Sequence, residues 1–516
     1  MQIDKEYTAE RSVVGLHSES AGEYPLPDYN ADVKRVLMIS PRVVPTGRFI
    51  TESSVEFSGA VFYDVVYLDS ENRVTHADFS TDYEMAVKID PDTYEDSYVD
   101  TAISGYNVRL IGPRKFSAKC SLNSDVRIME KKCFEVGGDA FDGREAETLN
   151  ANVRILSPVF KFGDTSEHRE ELMTLEGAIE DEVEILMCNA RADVNSINYD
   201  TGAVDMKGDV SVTVLYKNAE SPIMTKTVNI PYSTGVEGEE FALSSSLFGR
   251  VDISALKTET VPAEDGVIVF VSFSTTPSVR GLGNTDLEVV RDAYLRESGT
   301  SNEYSDFSYT EHICAQSEEH DFSATVPLSD ISDSTVRGFA FVNSVARTDE
   351  CELEGSRVRV SGEIKFNAIA TEENSENQNG YTNAKISLPF EEYVNINCQK
   401  HDNMRIECHV DTYNESMEIS NDCVNVACTL TVFITLNSQK KQRCLGASYL
   451  NGEEFEKEVS VVTVYYPDEN ESVFDIAKKF HTSVRCIAED NELSESVFAS
   501  VDSPVKTFGY KKILVK

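Results

Sequence analysis

Over most of the chain, apolar positions alternate with polar ones instead of recurring every three or four residues, the signature of half-buried strands. The clearest run is Val55-Glu56-Phe57-Ser58-Gly59-Ala60-Val61-Phe62-Tyr63, with a small residue in its middle. The same pattern returns from Val204 to Tyr216 around Gly208 and from Val358 to Ala368 around Gly362. A recurrence about every 150 residues is domain duplication, not a solenoid. Each run leads through a polar turn (69–72, 217–220 and the longer 371–380) into a second alternating stretch, seen at Lys226–Tyr232 and Ala384–Phe390, which predicts a hairpin. Further strands are expected ahead of each anchor (Val36–Val44, Val183–Val194, Val336–Arg347) and behind it (Arg114–Ile128, Gly266–Phe273, Val424–Leu436). The expectation is a mainly β chain of three tandem antiparallel β-sandwich or open-barrel domains, with roughly six to eight strands each. The domains are placed at 1–160, 161–300 and 301–450, with the acidic stretch Asp286–Ser308 read as a linker. The mid-strand glycines are read as bulges or close backbone approaches.

The period changes near the C-terminus. Val461–Tyr466 is a β-branched and aromatic strand. Val473, Ile476, Ala477 and Phe480 then fall at helical spacing behind Ser472, a good N-cap, and Thr482 or Ser483 starts a second helix with Val484 and Ile487 inward. Asn491-Glu492-Leu493 ends that helix and Lys512–Val515 closes a small βααβ domain over 459–516. These positions, with Ile476-Ala477-Lys478-Lys479-Phe480 and the Asn491/Leu493 pair, resemble the LysM family. The resemblance implies a shallow groove beside the first helix that takes N-acetylglucosamine-containing glycans such as peptidoglycan. Its candidate lining is Asn470, Glu471, Ser472, Val473, Phe508, Gly509 and Tyr510, with Phe508 and Tyr510 as aromatic anchors. Two groove positions depart from the family: Asn470-Glu471 stands where Gly-Asp is usual, and Phe508-Gly509-Tyr510 where Pro-Gly-Gln is usual.

Charge narrows the partners. With 47 Lys and Arg against 89 Asp and Glu, the net charge of −42 repels phosphate backbones and anionic membranes, so no nucleic-acid partner is expected. Met1–Tyr7 lacks the apolar core of a secretory signal, and the longest apolar stretch, Val267–Phe273, is far too short to span a bilayer. A cytoplasmic location without membrane insertion is expected. The 11 scattered cysteines contain no Cys-x-x-Cys and read as free thiols.

The segment Leu26-Pro27-Asp28-Tyr29 followed by Asp32-Val33-Lys34-Arg35-Val36-Leu37, the Ser58-Gly59 and Ser361-Gly362 anchors and the tandem copies with a LysM-like tail resemble the SPOCS-domain proteins of endospore-forming bacteria, of the SipL type. The resemblance implies a spore coat protein in the mother cell at the forespore surface. Its partner would be the morphogenetic ATPase of the coat's basement layer, held by the LysM-like tail in place of a glycan. The alternative is a peptidoglycan-binding protein of the cell wall or cortex. No catalytic, cofactor or metal motif stands out. The eight histidines show no metal-ligand spacing, adjacent Cys408 and His409 point to opposite faces of a strand, Gly281-Leu282-Gly283 reads as a flexible connector, and Gly137–Gly143 as a turn. The expected activity is adhesion, not catalysis.

Overall fold

A computed structural model describes residues 4–28, 30–218, 223–331, 335–373, 379–396, 398, 403–455, 462–493 and 503–515. Tyr29, Val461 and parts of the turns expected at 217–220 and 371–380 lie outside them.

The chain is mainly β. The first copy comprises β1 (Asp4–Pro25), β2 (Val33–Ile50), β3 (Ser54–Asp69), β4 (Val74–Lys88), β5 (Tyr94–Gly112) and β6 (Lys115–Glu135). They form two three-stranded antiparallel sheets, ordered β1-β6-β5 and β2-β3-β4. The second copy comprises β7 (Ala146–Phe162), β8 (Ser166–Glu176), β9 (Glu184–Asp200), β10 (Ala203–Lys217), β11 (Met224–Glu237), β12 (Ser244–Ala263) and β13 (Gly266–Leu295). Here β7 and β8 both pair with β13 in one running register, so together they replace the single first strand. The third copy, β14 (Ser298–Pro327), β15 (Val336–Glu354), β16 (Arg357–Glu373), β17 (Asn379–Asn395), β18 (Met404–Ser420) and β19 (Cys423–Glu454), returns to six strands. All three copies share one topology: first strand beside last beside penultimate, facing a second sheet made of the middle three.

Alternation explains the layers. One face of β3 turns Val55, Phe57, Val61, Tyr63, Val65 and Tyr67 into the first sandwich's core, as β10 and β16 do for theirs. The anchor glycines sit at matching structural positions. Each pairs with an aromatic residue on the next strand, Gly59 with Tyr83, Gly208 with Tyr232 and Gly362 with Phe390. On the other side, each faces a register break in the preceding strand, around Thr46, Asn195 and Asp349. A Cβ at Gly208 or Gly362 would lie 1.8 Å from the Asp193 carbonyl oxygen or 2.0 Å from that of Arg347, so only glycine fits.

Strand pairing corrects the expected boundaries. The cuts at 160, 300 and 450 fall inside β7, β14 and β19. The supposed linker Asp286–Ser308 is the end of β13 and the start of β14, with only Arg296-Glu297 between. Its acidity misled because the carboxylates of Asp286 and Glu288 face outward while Leu287 and Val289 are buried. Gly281 and Gly283 are likewise inside β13, where a Cβ would strike Ser244 Oγ at 2.2 Å and the Leu243 carbonyl oxygen at 2.2 Å. The Gly137–Gly143 segment is a turn that bonds to β19 through Gly137 N–H to Gly446 O at 2.9 Å and Ser448 N–H to Gly137 O at 2.9 Å.

The outer faces of the middle sheets meet in a further core. It gathers Leu37, Met38, Val66, Leu68 and Val74 from the first copy, Leu186, Met187, Leu215 and Ile223 from the second, and Ala340, Phe341, Ile369 and Tyr381 from the third. Packing runs in a closed ring: β9 lies against β3 and β4, β15 against β10 and β11, and β2 against β16 and β17. Each joint is hydrogen-bonded, by Lys217 Nζ to Val74 O at 2.6 Å, Phe341 N–H to Thr225 Oγ1 at 2.8 Å and Asn383 Nδ2 to Leu37 O at 2.8 Å.

After the third copy come β20 (Thr463–Tyr465), α1 (Val473–Lys479), α2 (Val484–Asp490) and β21 (Ile513–Val515), with β20 and β21 antiparallel. This is the expected βααβ order. No helix among the described residues is long and apolar enough to cross a membrane.

Candidate functional site

The tail is built from its caps inward. Ser472 and Asp475 form a reciprocal capping box: the Asp475 N–H donates to Ser472 Oγ at 3.1 Å and the Ser472 N–H to Asp475 Oδ2 at 2.9 Å. Ser483 Oγ accepts from the Cys486 N–H at 3.0 Å and starts α2. Asn491 ends α2 and ties it to the last strand, donating to Leu514 O at 2.7 Å and accepting from the Leu514 N–H at 2.6 Å. Val473, Phe474, Ile476, Ala477, Ile487, Val505, Ile513 and Val515 form the module's core.

That core continues into the second sandwich through Tyr294 of β13. Its ring meets Phe474 edge-on at 5.3 Å, and its hydroxyl donates to Thr482 O at 2.7 Å. Lys478 reaches Asp292 at 2.6 Å, and Phe455 stacks on His481 at 3.6 Å. The tail is therefore docked against the sandwiches.

The expected groove residues divide in two. Glu471 and Ser472 do lie beside the segment before Gly509, since Val505 N–H donates to Glu471 O at 3.0 Å and Ser472 bridges Pro504. However, Val473 and Ser472 are 1% and 2% exposed, consumed by core and cap, and offer no surface to a ligand. The Glu471 carboxylate is held by the Tyr465 hydroxyl at 2.7 Å, the Asp468 N–H at 2.8 Å and Lys479 at 3.5 Å. Burial alone would raise its pKa, but these donors keep it below the usual carboxylate range. Tyr510, expected as an exposed anchor, is half-buried and packs on the module's core. Asn470 is exposed and Gly509 takes a left-handed φ of 90° at the end of a 3-10 turn, while the Phe508 side chain lies outside the described residues. Residues 494–502, between α2 and the last strand, lie outside them as well.

The outward surface lies elsewhere on the module. Val462, Val464 and Tyr466 stand 53%, 49% and 69% exposed, while Tyr465 between them turns inward onto Phe480. The signal was present in the alternation of that strand, whose second apolar face points outward among the described residues.

A second concentration of chemistry is internal. Where the copies converge, Glu10 of β1 accepts from Arg127 of β6 at 2.8 Å and Arg280 of β13 at 3.2 Å, and Arg127 also reaches Glu407 of β18 at 2.7 Å. Nearby, His312 contacts Ser246 at 2.9 Å and Asn437 at 3.0 Å, and burial lowers its pKa. Every charge in this group has a partner from another strand, which makes it a polar lock between copies. Among the described residues no group of three or more His, Cys, Asp or Glu could hold a metal ion. Two surface hollows among the described residues are open depressions, one beside Arg144 and Arg296 and one beside Gly362 and Phe390. No protein-family model, curated protein or solved structure matches the chain.

Proposed function

We propose that this chain is a non-catalytic scaffold of the SPOCS-domain, SipL type, and that its LysM-like tail holds the morphogenetic ATPase of the spore coat's basement layer at the forespore surface. The observation that carries this reading is the stripe of Val462, Val464 and Tyr466, presented outward by a module fixed to the second sandwich through Tyr294 and Lys478. Adjacent exposed aliphatic and aromatic side chains on a rigid frame are what a protein partner buries at the centre of an interface. A glycan groove at the first helix is less well served, because Ser472 and Val473 are buried and Glu471 is already satisfied.

The test uses the full chain and the purified ATPase. Val464→Asp combined with Tyr466→Ala should weaken the complex about ten-fold or more, the scale of losing interface anchors. Undiminished binding by that variant would overturn the assignment of the surface. Retention of the wild-type chain on purified peptidoglycan, with no complex formed with the ATPase, would favour the cell-wall alternative.

A further inference from the structure

The tail's two-stranded sheet is sealed along one edge and open along the other. Asn491, at the end of α2, donates to Leu514 O at 2.7 Å and accepts from the Leu514 N–H at 2.6 Å, so the main chain of Leu514 points away from β20. Leu514 stands opposite Val464 in the antiparallel ladder. Residues directly opposite in such a ladder either exchange both hydrogen bonds or turn both sets of groups outward, so the N–H and C=O of Val464 point away from β21. Among the described residues β20 pairs only with β21. The outer edge of β20 therefore presents a donor and an acceptor at Val464, between the exposed side chains of Val462 and Tyr466. The long sheets guard comparable edges. There β11 and β17 are outermost and carry Pro231 and Pro389, whereas residues 462–466 include neither a proline nor a charge.

We propose, on the reading that the tail holds the ATPase, that the outer edge of β20 is a strand-addition site. An extended segment of the partner pairs its main chain with Val464 and lays apolar side chains, at alternate positions, beside Val462, Val464 and Tyr466. The edge itself sets the form of the occupant. A strand returns a carbonyl to the Val464 N–H and an N–H to the Val464 C=O, and every second side chain then falls on the face that carries the stripe. Charge sets one end of the segment. Asp468 and Glu469, both exposed, follow Tyr466 after Pro467, and the chain as a whole carries a net charge of −42. A Lys or Arg at the matching end of the partner's segment is the complement.

The full chain would be mixed with the purified ATPase and followed by residue-resolved amide hydrogen exchange, alongside titrations of two variants. The Val464 amide should exchange about ten-fold or more slowly in the complex than in the free chain. Val464→Pro removes the outward N–H while leaving Thr463 and Tyr465 paired with β21, so it should weaken the complex about ten-fold or more, the scale of a main-chain hydrogen bond left unmade. Val464→Thr keeps the N–H and should bind more tightly than Val464→Pro. Slow exchange of the Leu514 amide in Val464→Pro reports a folded tail, and if that is lost the exchange of the wild-type Val464 amide decides alone. A complex in which that amide exchanges as in the free chain, or which Val464→Pro with a folded tail forms as tightly as wild type, overturns strand addition and leaves the ATPase reading standing. Absence of any complex with the wild-type chain overturns both.

Discussion

Glu10 is 6% exposed at its side chain and lies between two arginines, Arg127 and Arg280, which are themselves 14% and 15% exposed. Burial raises its pKa, but the two guanidinium groups outweigh that effect and leave it lowered. A carboxyl whose folded pKa is lowered adds stability above its unfolded value, and that stability is lost as pH falls through the folded value. Neutralising it also strands two buried cations with only Glu407 between them. Glu10→Gln should therefore cost about 3–5 kcal/mol at neutral pH by chemical denaturation, as expected for breaking one side of a buried ion pair. Asp64 has the opposite sign. It is paired across the strands with Asp78, and burial drives it up to about 6 in spite of Arg42. The folded chain thus keeps a proton there that the unfolded chain releases, a contribution that vanishes as pH rises through about 6. Asp64→Asn should raise stability relative to wild type by about 1–3 kcal/mol at pH 7 and by less at pH 5. Thermal melts whose difference stays constant between those pH values would show that the carboxyl does not titrate in this range.

At the level of strands, the anchor glycines are where local sequence and fold agree most closely. The three are equivalent in register but not in what surrounds them. An added Cβ at Gly208 or Gly362 meets a backbone carbonyl, whereas at Gly59 it meets the ring of Tyr83, its nearest contact being the hydroxyl at 2.4 Å. A ring can turn aside and a paired strand cannot. Gly208→Ala and Gly362→Ala should each cost about 1–3 kcal/mol, the scale of overpacking, with Gly59→Ala the mildest of the three in the same denaturation assay. The repeat, its hairpins and the tail's βααβ order were all legible from periodicity, because a face that alternates in the sequence alternates in burial. The stretch after Gly281 was not legible, since Asp286 and Glu288 on the outer face of β13 gave a strand the composition of a connector. Two of the expected groove residues are taken up elsewhere for a related reason. Spacing identified Ser472 as a cap and Val473 as core, and residues already used for those purposes are not left over for a ligand.

The three sandwiches form a closed ring because the central strand of each middle sheet has two apolar faces to bury. Val66, Leu215 and Ile369 stand at the same distance after their anchor glycines, on the face opposite the sandwich core, and all are fully buried against the neighbouring copies. Any one copy taken alone would expose its share of this hub, so no copy can bury all of its apolar surface by itself. Heterologous contacts that close after three steps leave no unpaired face, unlike an open chain of copies. Stability should accordingly be shared: the wild-type chain is expected to lose its three sandwiches in one cooperative urea transition. Leu215→Ala removes a side chain at the centre of that hub and should cost about 2–5 kcal/mol. Because the residue touches the joints and not the sandwich cores, the loss should also separate the transition into steps, each reporting one copy. A single transition of unchanged steepness in Leu215→Ala would mean that the copies are coupled through contacts such as the Glu10 lock, and that the hub merely fills space.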